Sequence, residues 1–183
     1  MRIYEALSND HREFERLLDG LLQASKAGDE SWKQILDELR RKVIAHSHAE
    51  EAVFYNALRE MNEAKDLVMH SYGEHAMAEG EIRTLGAAKM VDANWTSLVE
   101  KLRNDLLHHI KEEESQVFAA AQKVFSDAEA EQIGAAFERM KAETAKDGDS
   151  MIASTVDLIA NLLPQRLTSG FRKHLKSGRP HAA

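Results

Sequence analysis

His46-Ser47-His48-Ala49-Glu50-Glu51-Ala52-Val53-Phe54-Tyr55 decides the reading of this chain, together with its later counterpart His109-Ile110-Lys111-Glu112-Glu113-Glu114-Ser115-Gln116-Val117-Phe118. In the first stretch Val43, His46, Glu50, Phe54 and Ala57 recur at helical spacing, so a His and a Glu stand where an amphipathic helix asks for core residues. The second stretch repeats the arrangement with Leu106, His109, Glu113, Val117 and Ala120. Residues four apart on a helix share a face, so each pair offers an imidazole nitrogen and a carboxylate to one point inside the fold.

Working outward, an inward His appears in two more stripes, and in the second of these an acid, Glu79, again follows it four residues on. One stripe runs Ile3, Leu7, His11, Phe14, Leu18 and Leu21 and fades at Ala27-Gly28-Asp29. Another, weaker, runs Val68, Tyr72, His75, Glu79, Ile82 and Gly86. The helix carrying His46 begins after Ser31, and the one carrying His109 begins near Trp95. Period-two runs are absent, and the two Pro stand at Pro164 and Pro180, so the fold class is all-α. His11 and His46 each lie about 17 residues from the turn that joins their helices, and the later turns give similar distances. At about 1.5 Å per residue, an up-down-up-down four-helix bundle brings all four His to one level.

Two carboxylates at the centre of an apolar bundle are costly to bury unless cations neutralise them. A single His/Glu pair is ordinary on a solvated helix, whereas four inward His at one height with two acids describe a metal site. The 183-residue chain has no Cys, which excludes thiolate ligands, disulfides and thiol nucleophiles and leaves nitrogen and oxygen donors. His-Glu-x-x-His, the zinc-protease string, does not occur. A net charge of −7 argues against nucleic acid as a partner. No apolar run approaches the roughly 18–20 residues of a membrane span, and the opening MRIYEALSND lacks the apolar stretch of a secretory signal, so the expected setting is cytoplasmic, without membrane.

Residues 1–125 are read as the bundle and 126–183 as a C-terminal helical appendage with a basic tail. Ser126-Asp127-Ala128-Glu129 has the form of a capping box, opening a helix through Ile133, Phe137 and Met140. A break is expected at Asp147-Gly148-Asp149, then an apolar stretch from Met151 to Leu163, then a mobile tail carrying Arg166, Arg172, Lys173, Lys176 and Arg179.

The pattern resembles the hemerythrin-like, or HHE, cation-binding family, whose signature is a lone His on helices one and three and His-x-x-x-Glu on helices two and four. Asn9-Asp10-His11 and Glu74-His75 supply the lone His here. The resemblance implies a hemerythrin-like four-helix bundle holding two iron ions, joined by an oxo or hydroxo bridge and by Glu50 and Glu113, with terminal His11, His46, His75 and His109. It also implies dioxygen, peroxide or nitric oxide as the small-molecule ligand. Three functions follow: binding or sensing dioxygen, disproportionating peroxide as a catalase-like enzyme, or acting through a partner as an iron sensor or iron–sulfur repair factor. Proteins similar to the oxygen carriers have a fifth His where this chain has Glu79.

Three further residues are additional candidates. Glu79 is assigned to the inward stripe, as a third carboxylate or as a hydrogen-bond partner of a ligand. Tyr55, nine residues after His46, is assigned near the same face, as packed core or as a phenol reaching the metals. His70, His48 and His108 are read as surface or supporting His, and Glu51, Glu112 and Glu114 as solvated acids beside the ligand faces.

Overall fold

The computed structural model describes residues 1–59, 64–88, 91–147 and 153–177. The elements are α1 (Ile3–Ala27), α2 (Trp32–Glu50), a π-helical turn π1 (Glu51–Tyr55), α3 (Asn56–Arg59), α4 (Lys65–Ala87), α5 (Ala93–Glu112), a second π-helical turn π2 (Glu113–Val117), α6 (Phe118–Val124), α7 (Asp127–Asp147), α8 (Ala153–Ala160) and α9 (Gln165–Ser177). No strand occurs among the described residues. α2, π1 and α3 form one rod, and α5, π2 and α6 another. With α1 and α4 they make the four walls of a hemerythrin-like helical bundle.

Side-chain pairings show that neighbouring rods are antiparallel. Asp10 pairs with His46 and Glu13 with Lys42 between the first two rods, and Glu74 with His109 and Glu81 with Lys101 between α4 and α5. Asp19–Arg103 and Lys26–Glu100 close the ring between α5 and α1. Connections of a few residues make this the natural topology. α1 ends where Gly28 takes a left-handed conformation (φ 68°) and its N–H reaches the free carbonyls of Ala24 and Ser25. α5 starts where the Asp92 carboxylate accepts the Trp95 N–H at 2.8 Å.

Two apolar clusters fill the bundle. One, with Phe14, Leu18, Leu39, Val43, Ile82, Trp95 and Leu102, lies toward the α1–α2 and α4–α5 turns. The other, with Ile3, Leu7, Phe54, Tyr55, Val68, Phe118, Ile133 and Phe137, lies toward the opposite end. The inward His and Glu sit between them.

The residues beyond the bundle pack on it. Ser126 and Glu129 form the expected capping box, with Ser126 N–H donating to Glu129 Oε2 at 3.0 Å and Glu129 N–H to Ser126 Oγ at 3.3 Å. α7 then lies across α1 and α2 and adds Ile133, Phe137 and Met140 to the second cluster. Gly134 makes the close approach possible, because a Cβ there would stand 2.5 Å from the Met1 carbonyl oxygen. The expected mobile tail is instead helical from Gln165 to Ser177. The reason is that Leu167 and Phe171, four apart, give it an apolar face that buries against Ala52, Val53 and Ala57. Arg166 also anchors it through Glu129 and the Val124 carbonyl. The break expected at Gly148-Asp149 and the end of the tail at Arg179 lie outside the described residues.

Candidate metal centre

His11, His46, Glu50, His75, His109 and Glu113 converge at mid-height and are all at least 96% buried. They fall into two donor groups: His11, His46 and Glu113, and Glu50, His75 and His109. Each carboxylate lies between the groups. Glu113 Oε2 is 3.2 Å from His11 Nε2 and 4.0 Å from His109 Nε2, and Glu50 Oε2 is 3.3 Å from His46 Nε2 and 3.5 Å from His75 Nε2. Donors at about 2.0–2.2 Å from a shared ion stand roughly 3–3.6 Å apart, so most of these spacings are edges of a coordination polyhedron.

The groups fit cations for a second reason. His11 Nε2, both oxygens of Glu50 and Glu113 Oε2 are buried without a hydrogen-bond partner, although such atoms are rarely left orphaned in a folded interior. His75 Nε2 and His109 Nε2 face each other at 3.1 Å. With the opposite nitrogen of each ring donating to a carboxylate, two lone pairs meet there, and only a proton or a metal between them relieves the repulsion.

Those opposite nitrogens form a closed ring around the bundle. His46 Nδ1 meets Asp10 Oδ2 at 3.0 Å, His75 Nδ1 meets Glu51 Oε1 at 3.0 Å, His109 Nδ1 meets Glu74 Oε2 at 2.9 Å, and His11 Nδ1 meets Glu114 Oε1 at 2.9 Å. Each acid is adjacent in sequence to an inward residue of its own rod and serves the His of the next. This fixes the tautomer, leaves Nε2 aimed at the centre and makes the imidazoles more basic ligands. Glu51 and Glu114 are therefore not simply solvated acids. One residue of helix turns them by about 100°, away from their own rod's centre and onto the neighbouring rod's imidazole. Asp10 is further held by Lys141 of α7, whose Nζ is 2.8 Å from both carboxylate oxygens, and Phe137 of α7 meets the His46 ring edge-on at 5.5 Å.

Burial, then the Glu113 charge, pushes the Glu50 carboxyl well above its ordinary range. Glu113, though also penalised by burial, is held below its range by Glu50 and His11. Burial pulls His11 down, but Glu113 and Glu114 on its two nitrogens raise it to about 9. Burial lowers His46 to about 4 and His75 to about 3, which keeps both neutral and ready as ligands. Metal binding here competes with protons on Glu50 and His11.

Tyr55 is fully buried, stacks on His75 with ring centroids 5.5 Å apart, and donates its hydroxyl to Glu113 Oε1 at 3.1 Å. Nine residues of regular α-helix are two and a half turns and would place it opposite His46, so the sequence argument for its facing was wrong. The π1 turn supplies the missing rotation. Its Asn56 N–H bonds the Glu51 carbonyl, and in such a turn the fifth residue, not the fourth, comes round onto the starting face, which aligns Tyr55 with Glu50. π2 begins at Glu113 in the same way, with Phe118 N–H on the Glu113 carbonyl.

Glu79 lies outside both donor groups and meets His48 Nε2 at 3.2 Å. The buried seam of α4 runs Val68, Ser71, His75, Ala78, Ile82 and Leu85, so it passes through Ala78 and leaves Glu79 on the flank. Small residues at Ser71 and Ala78 hid that seam from a hydrophobicity reading. His70 is exposed and outside the centre, beside Glu74 and Glu112.

No helix of the described residues is long and apolar enough to cross a membrane. Comparison with the curated proteins and with the solved structures gives no match. A family model, described as the hemerythrin HHE cation-binding domain, matches residues 2–121, which span all six converging residues and all four acids of the ring. The chain belongs to the hemerythrin HHE cation-binding domain family.

Proposed function

We propose that the chain holds two iron ions, with Glu50 and Glu113 bridging them and His11, His46, His75 and His109 as terminal ligands, and that it binds or senses dioxygen or a related small oxidant. The observation that carries this reading is the placement of each buried carboxylate between the two donor groups, which suits a shared ligand better than two separate sites. Six donors, two of them acids, call for two cations, and imidazole with carboxylate suits iron. A bound iron pair would supply one- and two-electron redox chemistry there. The protein orients the imidazoles through the carboxylate ring and excludes bulk water with the two apolar clusters.

Tyr55 favours a second reading, peroxide disproportionation. Burial, then the charges of Glu113 and Glu50, push its hydroxyl well above the usual tyrosine range, so it keeps its proton beside the bridging carboxylate. A phenol so placed is suited to hold and return a proton while an oxidant is handled.

Purified protein is expected to contain close to two irons per chain. Anaerobic reduction should bleach a visible absorption that returns in air, and addition of peroxide then tests turnover by oxygen release. One metal per chain, or zinc alone after growth in iron-rich medium, would refute the di-iron assignment.

A further inference from the structure

Outside the centre, on the wall formed by α4 and α5, a second pair of His-x-x-x-Glu motifs faces solvent. His70 and Glu74 stand four apart on α4, and His108 and Glu112 four apart on α5. His70 Nε2 lies 3.5 Å from Glu74 Oε1 and 3.4 Å from Glu112 Oε2, and His108 Nε2 lies 3.6 Å from Glu112 Oε1. These spacings exceed the usual 2.7–3.2 Å of a hydrogen bond and match the roughly 3.3–3.6 Å between donors on one tetrahedral ion. His70, Glu74 and Glu112 each present a donor atom to one another within 4.8 Å. Four side chains from two helices, two imidazoles among them, are more than an acidic patch.

The cluster is tied to the centre. Glu74 turns Oε1 toward His70 and Oε2 toward His109 Nδ1, at 2.9 Å. A cleft of about 70 Å³ between α4 and α5 is bordered by Glu74 and His108 of the cluster and by His109 of the centre, together with the apolar Met77, Ala78 and Leu106. The six side chains of the centre are otherwise buried, so a metal needs an entry path, and this cleft borders one of them, His109.

We propose that His70, Glu74 and Glu112, with His108 at the edge, form an exchangeable divalent-cation site on the outer wall of the bundle, from which metal passes along the α4–α5 cleft to the buried centre. The transfer step rests on the di-metal reading; the surface site does not. The His70 imidazole and two carboxylates, with water completing the shell, favour Fe(II), Zn(II) or Co(II) over Mg(II). Exposure of both His, at 63%, makes binding weak and exchange fast, as a staging position requires.

The test uses the full-length protein, its His70→Ala and Glu112→Gln variants, and zinc as the probe. Titration of the protein as purified should show one further zinc per chain beyond the tightly held metal. In both variants that zinc should bind at least about tenfold more weakly while the tightly held metal is unchanged. Anaerobic loading of the metal-stripped protein with Fe(II) should be several-fold slower in the variants and reach the same end point. Zinc binding equal to wild type in both variants would overturn the surface site. Weakened zinc binding with Fe(II) loading at the wild-type rate would overturn the transfer role. Failure of the di-metal reading is seen separately, as the tightly held metal content of the wild type.

Discussion

Replacing Glu51 by Ala removes the acceptor of the His75 Nδ1–H without touching any of the six converging residues. His75 is 3% exposed and Glu51 only 13%, so water cannot easily take the vacated place. The loss is then that of a buried donor left unsatisfied, about 1–3 kcal/mol, and of a ligand no longer held in orientation, about 10- to 100-fold in metal affinity. Glu114→Ala removes the equivalent bond to His11, but Glu114 is 40% exposed and solvent can replace it, so the loss should stay below about tenfold. Glu15→Ala, on the exposed face of α1, serves as the control. Iron retention against a graded chelator measures the affinities, and thermal unfolding of the loaded proteins reports the same order. Reading from the sequence alone, both Glu51 and Glu114 would be neutral. Glu51→Ala holding iron as well as Glu15→Ala, or losing less than Glu114→Ala, would refute the argument that the carboxylate ring supports the centre.

Tyr55→Phe should keep the metal content of the wild type, since it removes no proposed ligand, while any peroxide turnover falls; unchanged turnover assigns the phenol to packing alone. Lys141→Met should destabilise the fold by about 1 kcal/mol at neutral pH by leaving the half-buried Asp10 less well paired. Burial alone would raise Asp10, but His46 and then Lys141 hold it below its ordinary value, so this stability is present above the unfolded aspartate range and lost as pH falls through the folded one. Denaturant curves of the two proteins should therefore converge at acid pH, and a gap that persists there would show a packing effect instead. Gly134→Ala should cost about 1–3 kcal/mol, because its Cβ meets the Met1 and Arg2 backbone rather than a movable side chain. A drop in melting temperature of several degrees checks it, and an unchanged melting temperature would mean the N-terminus moves aside freely.

The helices, their antiparallel order and the convergence of six side chains were legible in the sequence, because His at core positions with Glu four residues on is a local periodic signal. What decides the surroundings of the centre was not. Asp10, Glu51, Glu74 and Glu114 each act across a helix interface on a residue far away in sequence, and read along their own helices they look like ordinary surface acids. The α4 seam was misplaced onto Glu79 because it is marked by Ser71 and Ala78, which carry little hydrophobic signal. The docking of α7 depends on one Gly and one Lys, neither distinctive alone. The helical register of α9 rests on Leu167 and Phe171, which a count of basic residues passes over.

The two π turns change how these rods measure length. Each takes one more residue than an α-helical turn to come round, yet the helix resumes beyond it with its outward and inward faces preserved. The rods thus each carry a spare residue, in a turn that begins one residue after Glu50 in the first case and at Glu113 in the second. Removing one residue from Glu51–Tyr55 would return the backbone to ordinary α-helix and leave the flanking segments in phase, so the bundle could close as before. Tyr55, then the fourth residue after Glu50 rather than the fifth, would keep its inward place if the residue removed is one of Ala52–Phe54. The second rod therefore offers a point where a single-codon deletion shortens the helix by one residue while leaving Tyr55, its neighbour Glu113 and the four-helix frame as they are.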